Sequence, residues 1–129
     1  MGRAEIAAWV AAYEKAWRAA GTESLSELFT PDARYRAAPF DQPHRGLDDI
    51  ARFWEAEREG ADEVFTMDSE MVAVEGDTGV VRVEVTYGST GTTYRDVWII
   101  RLDDTGRCFH FEEWPFWPGR GRVAEERAG

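Results

Sequence analysis

The 129-residue sequence predicts one α+β domain, and three observations carry that expectation. The first half holds apolar residues at helical spacing, while the second half breaks into four segments rich in β-branched and aromatic residues. Short turns containing glycine separate the four segments, and such close spacing requires antiparallel neighbours, because a parallel crossover takes a dozen or more residues. Helices followed by a meander make an α+β domain rather than an alternating α/β one. A chain of this length buries roughly two-thirds of its unfolded surface, so it folds without staples. That agrees with its single cysteine, Cys108, which has no partner in the chain.

Residues 3–20 read as the first helix, with Ile6, Trp9, Val10, Tyr13 and Trp17 on one stripe and Gly21 as its stop. Ser24-Leu-Ser-Glu27 has the pattern of a capping box that opens a short helix ending near Phe29. Thr30-Pro31-Asp32 reads as a turn, 33–37 as a short strand centred on Tyr35, and 39–46 as a loop holding two prolines and His44. Residues 47–59 read as the third helix, with Leu47, Ile50 and Trp54 apolar and Asp48 and Asp49 in the first turn. The strands follow at 63–75, 80–87, 94–102 and 107–114. Pro115 and Pro118 are expected to stop the last ladder, leaving Phe116 and Trp117 over a rim or a dimer edge. The segment 96–100 is apolar on both alternating faces, so a homodimer covering the outer face is expected. The domain is expected to span 1–118, with 119–129 as a flexible, glycine-containing C-terminal tail.

Composition narrows the function. With 15 Lys+Arg against 25 Asp+Glu, the formal net charge is −10, a field that repels nucleic acid and anionic membrane. Neither is an expected partner. No apolar run approaches the roughly 20 residues of a membrane span, and Arg3, Glu5, Glu14 and Lys15 interrupt the Ala-rich start where a signal peptide would be apolar. The expected location is the cytoplasm. The two histidines, His44 and His110, have no partners at ligand spacing, so no metal is expected. No cofactor is implied either.

Four motifs occur in order: Trp9-x3-Tyr13-x3-Trp17, Leu28-Phe-Thr-Pro-Asp-Ala33, Gly46-Leu-x2-Ile50-x2-Phe-Trp54 and Phe109-His-Phe-Glu-Glu-Trp114. In these the chain, up to about Pro118, resembles the nuclear-transport-factor-2-like superfamily, its SnoaL-like branch above all. The resemblance implies a cone: a curved, mostly antiparallel sheet wrapped around three N-terminal helices, with an apolar cavity at the wide end. Members include ketosteroid isomerases, polyketide cyclases, a limonene epoxide hydrolase, scytalone dehydratase and non-catalytic binding modules, so the fold alone does not fix a function.

The same resemblance assigns and withholds site residues. The isomerase base, an Asp just before a proline, matches Ala38, and the isomerase's acidic oxyanion donor matches Trp98. Both carboxyls are missing. The acid that the hydrolase and the cyclases carry on the closing strand matches Glu113. Alternation puts Phe109, Phe111 and Glu113 on one face and His110, Glu112 and Trp114 on the other. It also groups Tyr94, Asp96, Trp98 and Ile100, on the face that the Trp98 match turns toward the cavity. Asp96 and Glu113 would then meet, and two carboxyls in one pocket split their pKa values into an acid and a base. The competing reading for each is an ion pair with an arginine. The hydrolase's Arg is not supplied locally, because Arg95 points away from Asp96. Tyr13 and Tyr35 are either cavity hydrogen-bond donors or core tyrosines. Trp17, Trp54, Trp98 and Phe111 are expected to contact substrate, with His44 over the mouth. The expected function is binding of a small apolar or polycyclic molecule, as a cofactor-free isomerase, cyclase or hydrolase. The alternative is a non-catalytic ligand-binding or protein-interaction module of the same fold.

Overall fold

The first helix, α1 (Arg3–Arg18), lays its stripe of Ile6, Trp9, Val10 and Tyr13 into the core. In the computed structural model, which describes residues 2–58 and 64–119, it is followed by α2 (Leu25–Leu28), β1 (Phe29–Arg36), β2 (His44–Arg45) and α3 (Gly46–Glu57). Then come β3 (Phe65–Glu75), β4 (Thr78–Tyr87), β5 (Thr93–Leu102) and β6 (Cys108–Phe116). The strands form one curved, unclosed sheet in the order β2-β1-β6-β5-β4-β3. Every pairing is antiparallel except β1 with β6. Register breaks in β1, β3 and β6 supply bends, as bulges do, and the concave face receives the helices. The contact is tight where α1 crosses β4: a side chain at Gly79 would come within 2.8 Å of Ile6, so only glycine fits.

Four local expectations need correction. The stretch 30–32 is no turn, because β1 runs through it with its register break, which leaves Pro31 exposed and free of ladder duty. Ser24 makes no capping bond; its backbone is already near-helical (φ −76°, ψ −8°), whereas a capping residue is extended. The loop at 39–46 contains β2, whose two residues pair Arg34 with Arg45 and Tyr35 with His44. Pro115 does not stop β6, which continues to Phe116 along β5. Beyond Glu112 no β1 residue pairs with it, so β6 has an open side that tolerates a residue without an N–H.

A fifth correction concerns Phe109. The register break between Arg101 and Leu102 shifts the alternation, so Cys108 is buried and Phe109 instead packs under the Arg101 guanidinium at 5.0 Å. The expected tail from 120 onward lies outside the described residues, as do the end of the third predicted helix at 59 and the start of the first predicted meander strand at 63. Among the described residues no helix is long and apolar enough to cross a membrane.

Candidate active site

A cavity of about 520 Å³ lies between the helices and the concave face of the sheet. Tyr13 and Trp17 reach it from α1, and Phe53 and Glu57 from α3, one helical turn apart. Strand alternation brings Met67, Val85 and Tyr87 from β3 and β4. From β5 come Tyr94, Asp96 and Trp98, and from β6 Glu113.

Trp98 stands opposite Glu113 and Asp96 opposite Pro115, so the two acids are diagonal neighbours on one face of adjacent strands. Burial pushes Asp96 up to about 6, while its bond from the Trp98 indole N–H (3.4 Å) works in the other direction. Glu113 is pushed up to about 8, first by burial and then by the charge on Asp96; the Tyr35 hydroxyl, donating to Oε1 at 3.2 Å, opposes the shift. Asp96 therefore ionises first, and its charge holds the proton on Glu113. Between those two values the pair consists of one carboxylate and one carboxylic acid.

A hydrogen-bonded chain continues inward. The Tyr13 and Tyr35 hydroxyls lie 2.6 Å apart, and Tyr35 links Tyr13 to Glu113. Burial, followed by the Glu113 charge, raises both phenols well above their ordinary range, so each stays neutral and able to donate. Among the described residues no arginine or lysine pairs with Asp96 or Glu113; the ion pairs sit elsewhere, such as Arg82 with Glu70 and Arg101 with Asp77.

The other expected site residues divide. Trp17 and Trp98 line the cavity. Tyr35, Trp54 and Phe111 are fully buried behind it and act on its walls. Trp54 meets Tyr13 and Trp17 edge-on at 5.0 and 4.8 Å, while Phe111 packs on Tyr13 and Trp98 at 5.5 and 5.2 Å. His44 is not over the mouth: as part of β2 it stacks on Phe53 at 4.4 Å, one layer back. Trp114 faces outward, donating to Glu112, which also holds His110. Cys108 is inert, its thiol pushed up to about 12 by burial. Among the described residues no three His, Cys, Asp or Glu gather as a metal site.

Sequence reasoning missed Glu57, Asp41 and the β3–β4 wall of Phe65, Met67, Val85 and Tyr87. The wall was present as alternation, and Glu57 as the residue four beyond Phe53.

With the geometry in hand, comparison places the chain. A candidate polyketide cyclase of Sinorhizobium meliloti is 27% identical, with a TM-score of 0.65, covering 81% of this chain and 92% of that one. A steroid delta-isomerase of Pseudomonas aeruginosa is 22% identical at a TM-score of 0.62, over 97% of this chain and 88% of its own. A candidate isomerase of the SnoaL-like family from Agrobacterium tumefaciens is 15% identical at 0.71, over 88% and 99%. No curated protein matches. The model of the SnoaL-like domain matches residues 2–111, and the chain belongs to that family.

Proposed function

We propose that this protein binds a small, largely apolar molecule in the cavity and moves a proton on it without a cofactor, as an isomerase or cyclase does. The observation that carries the reading is the pair Asp96 and Glu113, one ionised and one protonated near neutral pH, facing the same space. Asp96 takes a proton from carbon next to a carbonyl, and the electron pair of that C–H bond moves toward the carbonyl oxygen. Glu113 donates a hydrogen bond to the oxygen as it gains charge, and the Tyr13–Tyr35 pair orients Glu113. The proton then returns to a different carbon, or the enolate carbon attacks a second carbonyl of the same molecule, whose π electrons move to its oxygen and take the proton from Asp96 as the ring closes. The 27% identical candidate polyketide cyclase is named for ring closure.

The test is exchange of carbon-bound hydrogen for deuterium, followed by NMR, over a panel of polycyclic ketones in D2O. Exchange is expected with the intact protein and should fall about 100-fold or more in Asp96→Asn, the usual size of a general-base contribution. Exchange unchanged in that variant would sink the proposal. A non-catalytic binding role is the competing reading, favoured by Trp98, whose indole stands where the resemblance puts an acid. It predicts bound ketone with no exchange at all.

The same reading takes the chain as a homodimer joined across the convex face of the sheet. In support, Val80, Val97, Ile99 and Trp114 form a contiguous, incompletely buried patch there. Light scattering is expected to give about twice the 14.7 kDa of one chain, and Ile99→Glu should give one. A monomer in the unsubstituted protein refutes the dimer.

A further inference from the structure

The composition of the cavity wall goes further than the proton-transfer reading, on which the following inference rests. Four carboxyl groups line the space, Asp41, Glu57, Asp96 and Glu113, and among the described lining residues there is no Lys, Arg or His. Asp96 is only 7% exposed, yet its Oδ1 has no hydrogen-bond partner. A buried, ionisable oxygen without a donor is costly, and its neighbours do not remove the cost. Two guanidiniums sit over rings that line the cavity, Arg18 over Phe65 and Arg58 over Trp17, and both are committed to other partners. Arg18 bonds Glu14 and the Phe65 carbonyl, and Arg58 bonds the carbonyls of Ala19 and Gly21. The rest of the wall presents the aromatic rings of Tyr94 and Trp98, faces that attract a cation.

We infer that the ligand carries a positive charge: an amine or quaternary ammonium on a flat apolar skeleton, its cation seated at the Asp96 carboxyl among these rings. The net charge of −10 would draw such a ligand in, whereas it offers nothing to an anion. A cation beside Asp96 also keeps that carboxyl ionised, the state in which it takes the substrate proton.

The groups facing Glu113 are Tyr13 from α1, Tyr35 from β1, Glu57 from α3 and Asp96 from β5. Both tyrosines stay neutral, so loss of the proton from Glu113 is the event that deepens the negative field as pH rises toward 8.

Calorimetry with two probes of one shape, naphthylmethylamine and naphthylmethanol, separates charge from fit. The amine is expected to bind at least about tenfold tighter, near one charge-assisted hydrogen bond in strength. Its advantage should grow between pH 6 and pH 8. In Asp96→Asn, folded by circular dichroism, it should shrink to less than about threefold, while the non-specific pull of the remaining surface acids persists. Equal or tighter binding of the alcohol by the intact protein across that pH range overturns the inference and leaves proton transfer standing. So does an advantage that survives in folded Asp96→Asn. Binding of neither probe removes the cavity reading as well. The pH series needs no variant, so the outcome does not depend on Asp96→Asn folding.

Discussion

Glu113→Gln is expected to stabilise the folded protein at alkaline pH and, in the same molecule, to slow proton transfer by orders of magnitude. The carboxyl has an ordinary value of 4.5 when unfolded and about 8 when folded. Below the first value both states hold the proton and the group costs nothing. Between the two values the unfolded chain ionises while the folded one does not, so stability falls as pH rises. Above about 8 both states are ionised and the loss is complete. Asp96 adds a smaller loss of the same sign between 3.8 and about 6. Gln carries no such cost, and its carbonyl still accepts the Tyr35 hydroxyl. The expected gain for Glu113→Gln is roughly 2–4 kcal/mol above pH 8 and near zero at pH 4, taking 1.36 kcal/mol per unit and discounting for partial solvent access. Urea denaturation of the two proteins at both pH values measures it. Deuterium exchange should fall by about 10²–10⁴-fold. A Gln variant less stable than the parent at high pH would show that Glu113 is not a desolvated acid. A functional group held at the expense of stability is the usual pattern of an active site.

Sequence reading reached those two acids because they lie on regular strands. In β5 and the second half of β6 alternation holds, so Asp96, Trp98, Phe111 and Glu113 fall on the face expected of them. It failed where the ladder breaks: one bulge turned Phe109 outward, and another hid a strand behind Pro31. The partner of Tyr35 was out of reach for a different reason. Its position beside Glu113 depends on the parallel pairing of β1 with β6, in which Tyr35 meets Phe111 across most of the chain. No local pattern encodes a register at that separation. The same holds for Trp54, Phe111 and His44, which are the right residues in the right neighbourhood but one layer behind the wall. Periodicity tells which side of an element faces inward, and packing between elements decides which inward residue meets the ligand.

Trp54→Ala is expected to cost about 3–5 kcal/mol, the range for truncating a large buried aromatic. Trp54 is fully buried on α3, edge-on to both Tyr13 and Trp17, with the Arg58 guanidinium 5.5 Å from its ring. A domain of this size is stable by about 5–15 kcal/mol, so the loss takes a large part of the margin. The void would open behind Tyr13, whose 2.6 Å contact with Tyr35 needs that backing. Exchange should therefore fall along with stability, well below the melting temperature. Trp54→Phe behaves differently, because the indole Nε1 is buried without a hydrogen-bond partner. Removing that unsatisfied donor recovers roughly 1–3 kcal/mol against the lost ring volume, so Phe should cost less than about 1.5 kcal/mol and keep exchange near the parent rate. Urea melts of the three proteins give the comparison. If Ala and Phe cost the same, then neither the void nor the orphaned N–H governs this position, and Trp54 does not hold the cavity wall in place.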